Sequence, residues 1–165
     1  MTDVLPTDQL AELHRLHDTH EVVDALYRFA AGQDHRDPAL FLSAFAPDAT
    51  LDFTQPAERH GGEVPVMVGR DAIAGILEVL RPLVTSHTVT NPRVTVSGDQ
   101  ATLSALVAAQ HVDHADPHRR LLLENVYDVT LARDGDGFVI TSMTIRNLWS
   151  DGDPSVLFGG EDSTG

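Results

Sequence analysis

Four long runs of strand-forming residues fill the second half of the chain. Tight turns separate two pairs of them, and this spacing limits the fold more than any other feature. Val84 to Val96 is rich in Val and Thr. The turn Ser97-Gly98-Asp99-Gln100 leads into a second run, Ala101 to Val112. Leu121 to Arg133 is the third, and Asp134-Gly135-Asp136-Gly137 turns into the fourth, Phe138 to about Trp149. Runs joined this way pair antiparallel. The first half reads as helix instead. Thr7 is placed to cap a short helix through about His17. Asp18 with Glu21 forms a capping-box pattern opening a second helix through about Asp34. Asp37-Pro38 starts a third, running to about Phe45. Ala49 to Phe53 reads as a short strand, Gln55 to Pro65 as a loop, and Gly69 to Leu80 as a helix ended by Arg81-Pro82. Helices first and a meander after them predict an α+β fold, with N-terminal helices packed on a curved, mainly antiparallel sheet.

The chain has 165 residues, enough for one domain. We divide it into an N-terminal helical segment (1–19), the main domain (20–150) and a C-terminal tail (151–165). Basic residues number 11 and acidic residues 25, a net charge of −14, and every basic residue is arginine. Without lysine a Schiff base or phosphate-loop lysine is excluded. Without cysteine so are a thiol nucleophile, a disulfide and a thiolate metal site. The negative charge argues against nucleic acid or an anionic membrane as partner. No apolar stretch approaches the ~20 residues of a membrane-spanning helix, and the N-terminus has no secretory pattern. A cytoplasmic location is the expectation. Histidines and carboxylates remain as candidates for catalysis.

Polar residues that share a face with apolar ones are the informative ones. Val23, Tyr27, Ala30 and Asp34 form one helical stripe, so Asp34 ends an apolar face, where a carboxylate is costly unless paired. Alternate residues of a strand share a face. His111 follows Leu103, Ala105, Val107 and Ala109. Asn125 and Tyr127 share their face with Leu121, Leu123, Val129 and Leu131. His87 shares a face with Thr85, Val89 and Asn91, a run in which parity alone leaves the inward side open. A concave face gathering Asp34, His87, His111, Asn125 and Tyr127 among apolar residues would have the make-up of a small-molecule site. Taken singly, each is more readily a hydrogen-bonded core residue. His14, His17 and His20 are spaced by three and could bind a metal from one helix, but Asp18-Thr19 is expected to interrupt that helix; His111, His114 and His118 do not converge as a three-ligand metal site requires, so no metal is expected.

From about His20 to Trp149 the chain resembles the SnoaL-like branch of the nuclear transport factor 2-like superfamily, in its scytalone-dehydratase-type subgroup. The resemblance rests on AAGQDHRDPALFLSAFAPDATLDF, TSHTVTNPRVTVSGDQATLSALVAAQH and ENVYDVTLARDGDGFVITSMTIRNLW, in that order and spacing. It implies a cone-shaped α+β barrel enclosing a deep apolar pocket. It also implies a catalytic aspartate at Asp34, its histidine partner at His87, a second histidine at His111, and substrate contacts from the strand of Asn125 and Tyr127. Gln33 and Phe53 stand where scytalone dehydratases carry two tyrosines, a departure that argues against scytalone itself as substrate. Arg146 is a candidate for binding an anionic or carbonyl group, with a surface position as the alternative. Phe158 is a candidate to close the pocket mouth.

A histidine whose one nitrogen is held by a carboxylate is oriented so that the other can take a proton. Acting on a C–H beside a carbonyl, with a donor for the developing enolate, such a pair supports elimination of water without a cofactor. Isomerisation and cyclisation need the same residues, and a non-catalytic binding module would use the same pocket. The expected partner is a small apolar oxygenated ring compound of polyketide or steroid type. The resemblance further implies a homo-oligomer, dimer or trimer.

Overall fold

The computed structural model describes residues 6–159. The ends of the first and last sequence segments, 1–5 and 160–165, lie outside the described residues. The elements in chain order are α1 (Thr7–Asp34), α2 (Pro38–Ser43), β1 (Phe45–Asp52), α3 (Thr54–Arg59), β2 (Met67–Val68) and α4 (Arg70–Val79). They continue with β3 (Leu83–Ser97), β4 (Gln100–Asp113), β5 (Arg120–Asp134), β6 (Gly137–Gly152) and α5 (Ser155–Phe158). The strands form one sheet in the order β2-β1-β6-β5-β4-β3. Strands β3 to β6 make the expected antiparallel meander, and β1 joins β6 in parallel. The result is the α+β architecture expected, with helices against one face of a curved, unclosed sheet. Among the described residues no helix is long and apolar enough to cross a membrane.

The first two predicted helices are one. α1 runs unbroken through Asp18 and Thr19, because Asp18, read as a cap, has another partner. Asp18 takes a two-point ion pair from Arg133 at the end of β5, at 3.0 and 2.8 Å. Thr19 Oγ1 donates back to the Arg15 carbonyl one turn earlier, at 2.8 Å. With its cap diverted and no proline inside, nothing stops the helix. The inward stripe also differs from the expected one. Tyr27 is exposed, and the buried positions are Val22, Leu26, Phe29 and Gln33, flanked by Val23, Ala25 and Ala30. This set too steps by four, three and four, but is rotated about one residue from the predicted stripe.

α2 begins as predicted, with the Asp37 carboxylate accepting from the Leu40 N–H at 3.0 Å and Pro38 in the first turn. Phe29, Phe41 and Phe45 meet with ring centroids 5.5 to 5.7 Å apart and anchor α1, α2 and β1 together. Gly32 permits this contact, because a Cβ there would lie 2.4 Å from the Phe41 nitrogen. The segment read as a loop from Gln55 holds α3, and Met67–Val68 adds a short edge strand to β1.

The long strands alternate as expected. Leu103, Ala105, Val107, Ala109 and His111 of β4 are buried. So are Leu121, Leu123, Asn125, Tyr127, Val129 and Leu131 of β5. In β3 a bulge between Thr90 and Arg93 resolves the parity left open by sequence. Thr85, His87 and Val89 face inward before it, and Val94 and Val96 pack on the core after it. Asn91 sits in the bulge with a φ of 51°, and Pro92 beside it has no N–H to give the ladder.

Candidate active site

α1 ends against β3, and this crossing brings the acid to the imidazole. Asp34 Oδ1 lies 2.7 Å from His87 Nδ1. Its Oδ2 accepts the His87 backbone N–H, also at 2.7 Å, and Oδ1 takes a third bond from Thr85 Oγ1 at 3.0 Å. Burial pushes the Asp34 carboxyl upward, but the His87 and Thr85 donors outweigh it and hold the group below the usual carboxylate range. An ionised carboxylate only accepts, so His87 Nδ1 carries the proton that faces Asp34, and Nε2 is the ring nitrogen left free of it. The His87 side chain is 3% exposed and that of Asp34 17%.

His87 opens onto a cavity of about 190 Å³. Its walls are mainly apolar, from Phe29, Leu51, Phe53, Ile76, Leu80 and Leu123 among others. The polar groups on it are His87, His111, Asn125, Tyr127 and Gln33. Asp34 stands behind His87 and does not line the cavity. Gln33 is buried, with Nε2 3.4 Å from the Phe29 carbonyl. His111 meets His87 edge to face, with centroids 6.0 Å apart. Burial, reinforced by the nearby His87, pulls the His111 ring down to about 4, so it is uncharged at neutral pH. Burial drives the Tyr127 hydroxyl well above its ordinary range, against the neighbouring Asn125 amide, which pulls the other way. Tyr127 is therefore a neutral donor.

Aromatic rings from α5 and the β1–α3 junction line the cavity together. Phe158 of α5 stacks on Phe53 at 5.9 Å and on His60 at 5.0 Å. Arg119 fixes α5 from outside, donating to Ser155 Oγ at 3.2 Å and pairing with Asp113 and Asp153 at 2.9 and 3.5 Å. His60, in the segment read from sequence as a loop, is half-buried by this stack.

Arg146 is not part of the cavity. It lies exposed on the outer face of the sheet and pairs with Asp128 at 2.7 Å, so its assignment as a substrate contact is overturned. The strand turns its neighbour Asn147 inward instead. Asn147 is buried beside Asn125, and its Nδ2 donates to Asn125 Oδ1 at 2.9 Å. Sequence reasoning passed over Asn147, although it shares its parity with the apolar Met143 and Ile145. Thr85 was placed beside His87 by parity, but its bond to Asp34 needed the packing of α1 on β3. Buried side-chain atoms here without a protein partner are His111 Nδ1, Asn125 Nδ2 and Asn147 Oδ1. Among the described residues no group of three His, Cys, Asp or Glu side chains could hold a metal.

A family model described as the SnoaL-like domain matches residues 14–144. The chain is 32% identical over 150 residues to the terrestric acid biosynthesis cluster protein E of Penicillium crustosum, covering 86% of this chain and 90% of that one. Its fold is similar to that of a protein provisionally assigned as a scytalone dehydratase in Novosphingobium aromaticivorans. That match has a TM-score of 0.70 and 18% identity, over 90% of this chain and 92% of the other. A hexachlorocyclohexane dehydrochlorinase from Novosphingobium barchaimii superposes with a TM-score of 0.71 and 18% identity, over 86% and 94% of the two chains. At these identities the solved structures speak for the fold alone.

Proposed function

The chain belongs to the SnoaL-like domain family of the nuclear transport factor 2-like superfamily, and from that premise we propose that it is an acid–base lyase. Its reaction is loss of water from a cyclic β-hydroxy-carbonyl compound. The 2.7 Å contact between Asp34 and His87, with the ring facing an apolar cavity, is the observation that carries this reading. The names of similar proteins agree with it. One belongs to a biosynthesis cluster, and two are named for eliminations, of water and of hydrogen chloride.

In the proposed reaction His87 Nε2 takes the proton from the carbon beside the carbonyl. The C–H electron pair becomes the carbon–carbon double bond of an enolate, and the negative charge moves to the carbonyl oxygen. Tyr127 and Asn125 donate hydrogen bonds to that oxygen, stabilisation that grows as charge develops. The enolate then re-forms the carbonyl and expels the β-hydroxyl. The departing oxygen takes back the proton held on His87, and water leaves. Asp34 remains ionised throughout and stabilises the imidazolium that exists between the two steps. His111, uncharged, hydrogen-bonds rather than protonates. A positioned base of this kind contributes on the order of 10²–10⁴-fold. Every proton in the scheme moves on the chain's own side chains. Phe53 and Phe158 shape the apolar part of the site, and Gln33 adds a polar group to its wall.

The test is a panel of cyclic β-hydroxy ketones, with appearance of the conjugated enone followed by absorbance. Turnover by the wild type, lost in His87→Ala, is the expected result. Tight binding of the panel without turnover would identify a binding module instead.

A further inference from the structure

We infer that Asn147 is a positioning residue that locks the Asn125 amide as a hydrogen-bond donor toward the cavity, so that the site selects ligands carrying a carbonyl or enolate oxygen at that point. The inference rests on the cavity being the ligand site, as proposed above.

The orientation of Asn147 follows from chemistry. Its Nδ2 lies 3.3 Å from the Glu124 carbonyl, 2.9 Å from the Trp149 carbonyl and 2.9 Å from Asn125 Oδ1. Two of these three are backbone carbonyls, which can only accept. The amino group of Asn147 must face them, and whatever Asn125 turns toward that amino group must be an acceptor too. Asn125 therefore presents Oδ1 to Asn147 and keeps Nδ2 on its other edge.

The fold holds Asn147 itself in place. The register shift between Glu124 and Asn125 sets Glu124 opposite Trp149 and Asn125 opposite Asn147, leaving Leu148 as the extra residue. The Asn147 backbone is also tied at both ends to α3. Gln55 Oε1 accepts its N–H at 2.7 Å, and Arg59 Nη1 donates to its carbonyl at 3.0 Å.

Asn125 Nδ2 is the consequence. It belongs to a residue 1% exposed, it has no protein acceptor at hydrogen-bond geometry, and its side chain lines the cavity beside Tyr127. A buried donor left unpaired is costly, so a ligand oxygen that meets it is favoured over a ligand that puts carbon there.

Binding separates this from the catalytic proposal. The probes are α-tetralone and its methylene isostere, in which C=CH₂ replaces C=O, with affinities taken by calorimetry. The wild type should prefer the ketone by roughly tenfold, the size expected for one unpaired buried donor. Asn125→Leu should abolish the preference. Asn147→Ala should cut it to about twofold while leaving the isostere's affinity nearly unchanged, because only the ketone senses the amide's orientation. In the Asn125→Leu background, Asn147→Ala should change the ratio no further. A full preference retained in a folded Asn147→Ala variant overturns the inference. Should that variant not fold, the side-chain amide resonances of Asn125 in the wild type decide. They should shift with the ketone and stay with the isostere, and equal responses overturn the inference. A wild type that binds both probes equally sinks this inference alone. One that binds neither sinks the reading of the cavity as well.

Discussion

Asp34 grips His87 twice, through the ring Nδ1 and through the backbone N–H, both at 2.7 Å. The helix end thereby fixes both the rotation of the imidazole and the strand that carries it. Thr85 adds a third donor to the same carboxylate. A group meeting three donors must be able to accept everywhere, and only an ionised carboxylate does so.

Replacement of Asp34 by asparagine sets this in conflict. If the amide oxygen stays on the His87 ring, the new NH₂ faces the His87 backbone N–H. If it turns over, the NH₂ donates to Nδ1, the proton moves to Nε2, and the base is lost. Asp34→Asn should lower kcat on the order of 10²–10⁴-fold. Measured kcat for enone formation, beside a circular dichroism spectrum matching the wild type, checks it. Unchanged turnover would remove Asp34 from the mechanism.

Arg146 supplies the opposite case. Its guanidinium pairs with Asp128 on the solvent side of the sheet, where an ion pair contributes about 0–1 kcal/mol. Arg146→Ala should leave kcat and KM within about twofold of wild type and change stability by less than about 1 kcal/mol. Steady-state kinetics and urea unfolding read the two quantities. A large rise in KM would restore Arg146 to the site.

Much of this site is legible in the residues because strand parity is a strong rule. His111, Asn125 and Tyr127 follow from counting by twos along uninterrupted apolar faces. Asp34 with His87 needed more. The helical stripe placed Tyr27 inward, yet Tyr27 is exposed, because a one-residue rotation of α1 preserves the same spacing. Asp18 carried a cap signal that Arg133, 115 residues away in sequence, overrides. Long-range partners of this kind leave no local trace. Arg146 and Asn147 are neighbours on β6, and Asn147 keeps the parity of the buried Met143 and Ile145, but a bulge on either side makes that apolar run short and the signal weak.

His111 gives the fold an acid sensitivity of known sign. The folded chain keeps the ring uncharged down to about 4, whereas an unfolded histidine takes up its proton near 6.5. Between these values the unfolded state binds more protons, so this contribution to stability is complete above about 6.5 and lost as the pH falls to about 4. At 1.36 kcal/mol per pKa unit the window is worth roughly 3 kcal/mol. Asp34, held below its ordinary 3.8, adds its own loss only at lower pH. His111→Phe removes the titration. Urea midpoints at about pH 7 and about pH 4.5 should differ less in the variant than in the wild type, and equal slopes would refute the assignment.

Phe158 joins α5 to the rest of the cavity wall. Its ring stacks on Phe53 and His60, while Val156 and Leu157 pack on the cluster of Ala109, Leu121 and Leu123. That second contact, with the Arg119 ties to Asp153 and Ser155, keeps α5 in place without the ring. Phe158→Ala should therefore spare the fold, with the melting temperature within a few degrees, about the size expected for a half-buried side chain. It should open the site to water, which weakens the dipoles and hydrogen bonds acting on a bound enolate. The loss should fall on KM and on kcat together, by about tenfold in kcat/KM for removal of one aromatic contact. Kinetics of Phe158→Ala and Phe158→Leu on one substrate separate closure from stacking. Leucine should recover much of the loss if exclusion of water is what matters. Wild-type kinetics in the alanine variant would show that the site works without its aromatic cover.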